Sequence, residues 1–156
     1  MSFELRVERL IDASPEVVFD IFVDPDLQAE IHGSNELDWE VSKAETDVRV
    51  GGTSTYHMGK KGSEPDEEIR VFSVVDRSNR LVFTHRMSVA DWGSTVETEM
   101  TVTFEEQDGK TLVTLVQSGL ESEELRDMYM SGAPGYLESL QKAVSSRVQG
   151  QTKKGS

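Results

Sequence analysis

Apolar and polar residues alternate from the start of the chain: Phe3, Leu5, Val7, Arg9 and Ile11 fall in one row, which predicts a strand with one buried face. Ser14-Pro15-Glu16 then reads as a helix start. The Ser14 oxygen is placed to accept from free amides, and Pro15 sits at the first helical position, where a missing N–H costs nothing. Val17, Val18, Ile21 and Phe22 give that helix its apolar face. Asp24-Pro25 repeats the device and predicts a second short helix ending near Gly33.

From Leu37 to Gln117 the period is two. Leu37, Trp39 and Val41 alternate, and the Gly51-Gly52 pair marks a bend within extended chain. Ser54, Tyr56 and Met58 share a face, with His57 opposite and expected outside and inert. Residues 59–66 form a turn. The segment Ile69 to Val75 is apolar on both faces, as in a central strand, and Asp76 to Asn79 is a tight hairpin. Leu81, Phe83, His85 and Met87 make the next inward row. Between Thr95 and Glu105, Val96, Thr98, Met100, Val102 and Phe104 oppose an acidic outer row, the mark of a half-buried antiparallel strand. Asp108-Gly109 is a strong hairpin turn, and Val113 and Leu115 point inward on the strand after it.

The last stretch reads as helix. Ser122 is a cap, Glu123 and Glu124 occupy the first turn, Gly132 is expected to end the segment, and Pro134 to open another. Tyr136, Leu137, Leu140, Ala143, Val144 and Val148 form a stripe facing the sheet. Strands joined by short turns and followed by a helix predict an α+β class with a curved antiparallel sheet. One domain is expected over residues 1–148, with a disordered tail over 149–156.

Charge narrows the partners. Of 156 residues, 29 are acidic and 16 basic, a formal net charge of −13. Such a chain repels phosphate backbones and anionic lipid, so neither nucleic acid nor a membrane surface is an expected partner. There is no cysteine, which removes disulfides, thiolate metal sites and cysteine nucleophiles. The first nine residues lack the apolar stretch of a signal peptide, so the expected setting is the cytoplasm.

Four stretches carry a family resemblance: Ser14-Pro15-Glu16-Val17-Val18-Phe19; Asp47-Val48-Arg49-Val50-Gly51-Gly52; Arg80-Leu81-Val82-Phe83-Thr84-His85; and Thr101-Val102-Thr103-Phe104 through Ser118-Gly119-Leu120. In order and spacing they resemble the SRPBCC (START-like, helix-grip) superfamily, and within it the family related to the activator of heat-shock-protein-90 ATPase. The resemblance runs from about Phe3 to Ala143. It implies a sheet gripping a long C-terminal helix with a cavity between them, and no fixed chemistry, since relatives bind lipids, hormones and polyketides, cyclise polyketides or assist a chaperone. Three positions that are commonly tryptophan in the family differ here: Ile31-His32 at the end of the second short helix, His85, and Tyr136 after Gly135. These exchanges argue against a purely greasy cavity.

His85, inward by parity, is either a ligand contact or a satisfied core histidine. His32 is either a helix-end histidine favoured by the dipole or a polar group at the cavity mouth. The acidic runs 64–68 and 121–127 read as solvated surface. No metal-ligand spacing, Gly-x-Ser-x-Gly elbow or phosphate cradle occurs, so no metal, cofactor or catalytic residue is assigned. The expected ligand-binding set is His32, Trp39, Tyr56, Phe83, His85, Met100, Tyr136 and Leu140, around a small, mostly apolar, lipid- or polyketide-like molecule. The alternatives are a cofactorless enzyme of the cyclase or dehydratase type, for which His85, Tyr56 and Tyr136 are the inward acid–base candidates, and an interaction module for a chaperone or a second copy of the chain.

Overall fold

Period-two patterning becomes a single antiparallel sheet of seven strands: β1 (Phe3–Ile11), β2 (Trp39–Thr46), β3 (Thr53–Lys60), β4 (Asp66–Asp76), β5 (Arg80–Val89), β6 (Ser94–Gln107) and β7 (Lys110–Leu120). The structure, a computed structural model, describes residues 2–27, 39–89 and 94–154, with backbone only at 39, 89, 94, 95 and 149–154. The sheet order is β1-β7-β6-β5-β4-β3-β2. Strands β2 to β7 therefore form a meander, and β1 returns to its far edge. Asp108 and Gly109 both take positive φ, 54° and 82°, as a two-residue hairpin loop of type I′ requires.

The bend expected at Gly51-Gly52 is the loop of the β2–β3 hairpin. It docks on the next strand: the Gly51 amide donates to the Phe72 carbonyl at 2.8 Å, and the Phe72 amide to the Gly52 carbonyl at 3.0 Å. A Cβ at Gly52 would lie 2.2 Å from the Asp47 carbonyl oxygen, so only glycine lets the chain close there.

Helix α1 (Pro15–Phe22) starts as the sequence predicts, with Ser14 accepting from the Val17 amide at 3.5 Å and Pro15 in the first turn. Its buried Val18, Phe19, Ile21 and Phe22 lie across the sheet, and Phe104 meets the rings of Phe19 and Phe22 edge-on at 5.2 and 5.8 Å. A second helical turn opens at Pro25–Leu27; its remainder, with the predicted end near Gly33, lies outside the described residues.

The C-terminal helix, α2 (Glu123–Lys154), is capped by Ser122, whose oxygen accepts from the Leu125 amide at 3.0 Å. The break expected at Gly132 and Pro134 does not occur; Pro134 sits inside one continuous helix. A proline there forfeits the bond to the Met130 carbonyl, at a cost of about 3 kcal/mol. Burial of Leu137, Leu140 and Val144 against the sheet, worth roughly 1.5–3 kcal/mol each, outweighs it. The helical backbone continues to Lys154. At its far end the helix is tied to α1's exit: Arg147 Nη1 lies 2.9 Å from Asp24 Oδ2.

Strand β4 departs most from expectation. It is interior, between β5 and β3, but it is not apolar on both faces. Glu68, Arg70 and Phe72 face inward, while Ile69 is half-buried and Val71 is 42% exposed on the outer face. A register shift between Phe72 and Val74 then turns Val75 back toward the core. One uniform alternation cannot describe a strand that changes parity midway.

The inward row of β6 gives a direct test of facing. Val102 is fully buried and its neighbour Thr101 only partly so. Val102→Asp is expected to lower stability by more than about 3 kcal/mol, because it buries an unpaired carboxylate. Thr101→Asp should stay within about 1 kcal/mol. Equal melting of the two variants in chemical denaturation would refute this facing.

Candidate functional site

Register builds the floor of the site. Arg70 on β4 stands directly opposite His85 on β5, and Glu68 opposite Met87. His85 in turn faces Thr98, Phe83 faces Met100, and Met100 faces Gln117. Because alternate residues share a face, these side chains project from the same side of the sheet. On the helix, Met128, Tyr129, Gly132, Ala133 and Tyr136 recur at helical spacing and form the opposite wall. Between the walls lies a cavity of about 270 Å³. Along β5 the inward row passes from Leu81 and Phe83 in the core to His85 and Met87 on the cavity; along the helix, Leu137, Leu140 and Val144 belong to the core.

The wall carries a buried polar cluster. One oxygen of Glu68, Oε1, accepts from Arg70 Nε and Nη2, each at 3.2 Å, and lies 2.8 Å from His85 Nε2. The Glu68 and Arg70 side chains are only 5% and 7% exposed. The Arg70 guanidinium lies over three aromatic faces, 5.0 Å from the ring centre of Phe83, 5.2 Å from Tyr56 and 5.9 Å from Phe22, a setting that favours a desolvated cation. Burial works against the charged form of Arg70, but the Glu68 carboxylate, then the oxygens of Tyr136 and Tyr56 and a hydrogen bond with Tyr136, hold its pKa above the usual arginine value.

His85, 6% exposed, is oriented by the same carboxylate. An ionised carboxylate only accepts, so Nε2 carries a proton directed at Glu68. Tyr129 covers the imidazole edge-on at 6.2 Å. Elsewhere on the wall Gln117 Nε2 donates to Thr98 Oγ1 at 2.9 Å.

Of the residues expected to bind ligand, Phe83, His85, Met100 and Tyr136 line the cavity. Tyr56 does not reach its surface; it lies beneath the Arg70 guanidinium. Leu140, one turn beyond Tyr136, is packed in the core. His32 and the Trp39 side chain lie outside the described residues. His57 faces outward as expected, and its Nε2 is 2.9 Å from Oε2 of Glu67, its cross-strand partner. The charged pair Glu68 and Arg70 was missed altogether. The run 64–68 reads as surface, yet Glu68 is buried because Arg70 and His85 pair with it. The signal present was an acid and a base two residues apart, hence on one face of a strand, interleaved with apolar Ile69 and Val71.

The family described as Activator of Hsp90 ATPase homolog 1-like protein matches residues 12–145. Solved structures share the fold over nearly the whole chain. The AHSA1-like protein from Aeromonas hydrophila is 26% identical, with a TM-score of 0.74, over 93% of this chain and 94% of that one. A protein of unknown function from Staphylococcus aureus is 16% identical, with a TM-score of 0.76, over 96% and 97%. A protein from Chromobacterium violaceum is 21% identical, with a TM-score of 0.73, over 90% and 96%. No curated protein matches the chain.

Two expectations follow from the cluster. Glu68→Leu strands Arg70 as a buried lone cation and should cost about 3–5 kcal/mol, whereas the double variant Glu68→Leu/Arg70→Met should recover more than half of that loss; denaturant melts of the three proteins decide. The second concerns alkali. Burial raises the pKa of Tyr56 and Tyr129 above the ordinary 10.0, with Glu68 adding to the effect on both and Arg70 opposing it on Tyr56. Their contribution to stability is complete below the unfolded-state value. It is lost as pH rises past that value toward the folded one, since the unfolded phenols ionise first. Thermal melts should therefore fall above about pH 10, and less steeply in Tyr129→Phe; an unchanged slope in that variant would contradict the assignment.

Proposed function

The chain belongs to the Activator of Hsp90 ATPase homolog 1-like family, and from the shape and lining of its cavity we propose that it binds a small, mostly apolar molecule between the sheet and the C-terminal helix. The family's helix-grip fold supports a small-molecule cavity in general. The observation that carries the narrower reading is the cavity of about 270 Å³ walled by Phe22, Phe83, Met87, Met100, Leu115 and Met128 around a charge-compensated cluster. A cavity of about 150 Å³ holds benzene, so this one has room for roughly ten heavy atoms. The thioethers of Met87, Met100 and Met128 are unbranched and adapt to irregular shapes. No helix among the described residues is long and apolar enough to cross a membrane.

A cofactorless enzyme is the second reading, and the Glu68–His85 pair on the cavity wall favours it, because carboxylate–imidazole pairs recur in acid–base catalysis. Native mass spectrometry of protein purified from its own host tests both readings. A retained molecule of cavity size that is returned unchanged on incubation supports the carrier; conversion of the molecule supports the enzyme.

Naphthalene serves as a generic apolar probe. It is expected to bind with one-to-one stoichiometry, followed by its fluorescence. Ala133→Phe, which projects a ring into the cavity, should weaken binding by roughly tenfold or more with the melting temperature nearly unchanged. Binding that is indifferent to Ala133→Phe would place the probe elsewhere and count against this function.

A further inference from the structure

Strand β7 carries one polar side chain into the cavity wall. Gln117 stands opposite Met100 on β6 and Leu5 on β1, with Leu115 two residues back on the same face. Its carboxamide is thus set among apolar neighbours, and the residue is only 2% exposed. Nε2 is committed to Thr98 Oγ1 at 2.9 Å, and Oε1 has no hydrogen-bond partner among the described residues. Yet this oxygen is not sealed. Among the described residues, the one side-chain polar atom that is both unpartnered and without accessible surface is Nδ1 of His85. Unpartnered Gln117 Oε1 therefore keeps accessible surface, and because Gln117 lines the cavity, that surface opens into it. An amide oxygen only accepts. Left unpaired at this depth it costs free energy that a donor inside the cavity recovers.

We propose, building on the binding reading above, that the molecule held in the cavity is neutral and largely apolar and carries one O–H or N–H group, which donates a hydrogen bond to Gln117 Oε1. Each competing head group meets a specific obstacle. A carbonyl or ether oxygen sets its lone pairs against those of Oε1. A carboxylate does the same and adds a charge that finds no counter-ion, because Arg70 is already matched by Glu68 at 3.2 Å and bonded to Tyr136. An ammonium offers a donor, but its charge would be buried beside Met100 and Leu115 with Glu68 already neutralised. A neutral donor satisfies the oxygen at no charge cost. The apolar remainder then extends from Met100 and Leu115 toward Phe83, Met87 and Met128.

The test compares 2-naphthol with 2-methylnaphthalene, which has the same shape and no polar group, and with 2-methoxynaphthalene, whose oxygen only accepts. Binding is followed by probe fluorescence near neutral pH, where the naphthol is neutral. The wild-type protein is expected to bind 2-naphthol about tenfold more tightly than 2-methylnaphthalene, and 2-methoxynaphthalene no better than 2-methylnaphthalene. The double variant Thr98→Val/Gln117→Met removes the amide together with the hydroxyl it is bonded to, so neither polar group is stranded. It should bring 2-naphthol to within about twofold of 2-methylnaphthalene while leaving 2-methylnaphthalene binding intact. A direct readout on the wild type covers the case in which the variant does not fold: the ¹³Cδ resonance of Gln117 should lie further downfield with 2-naphthol bound than with 2-methylnaphthalene bound, the ring contribution being common to both. Equal affinity for all three probes would overturn the head-group assignment while leaving the binding function standing. Tightest binding of 2-methoxynaphthalene would overturn it in favour of an amide N–H turned to the cavity. A naphthol preference that survives in the double variant would place the bond on another group and overturn it as well. Failure of all three to bind would remove the binding function itself.

Discussion

Three donors converge on one oxygen of Glu68, and the inner face of the sheet is arranged around that convergence. Arg70 reaches it along its own strand, and His85 reaches it across the ladder. Neither charge is tolerable alone at this depth. Attraction between buried ions repays their loss of water only when the geometry is good and the remaining polar atoms are paired. The aromatic faces of Phe83, Tyr56 and Phe22 around the guanidinium, and the bond from Arg70 to Tyr136, meet that condition. The ion pair adds little net stability over an apolar equivalent, so what it provides is position. It fixes β4 to β5 in one register, joins the sheet to the helix through Tyr136, and orients the imidazole.

The cavity exists because the two walls are held apart unevenly. At one end Phe104, Phe19, Val102, Leu140 and Val144 pack sheet, α1 and the C-terminal helix into a continuous core. At the other, the helix offers Gly132 and Ala133 toward the sheet, and an added Cβ at Gly132 would meet no atom within 4 Å. Bulk at one end and its absence at the other leave a void that no neighbouring side chain fills, while the shared helix keeps both ends aligned.

Most of this architecture was legible from the chain. Strands such as β1, β6 and β7 face core on one side and water on the other, and such strands write their facing directly into alternation. Caps at Ser14 and Ser122 and the turn at Asp108-Gly109 were equally readable, since each solves a local backbone problem. Strand β4 was not, because its register shift after Phe72 changes parity and because an ion pair supplied the burial that composition denied to Glu68. His85 and Tyr136 were placed inward correctly, yet alternation alone does not distinguish core from cavity wall. Tyr56 and Leu140 have inward spacing as good as theirs and end up packed. The difference lies in what stands opposite, which depends on residues as small as Gly132 far along the chain. The continuity of the helix through Pro134 likewise rests on burial two turns away rather than on local preference.

That proline has a consequence for the helix that walls the cavity. It divides the C-terminal helix into unequal halves. The second half is nailed to the sheet by Leu137, Leu140 and Val144 and fastened to Asp24 through Arg147. The first half carries the cavity wall, has Met128 and Met130 about two-fifths exposed, and is joined to the second where Pro134 cannot bond the Met130 carbonyl. Cooperativity along the helix is weakest at that joint. The turns that wall the cavity and the turns packed in the core thus belong to one helix whose hydrogen-bond ladder is interrupted between them.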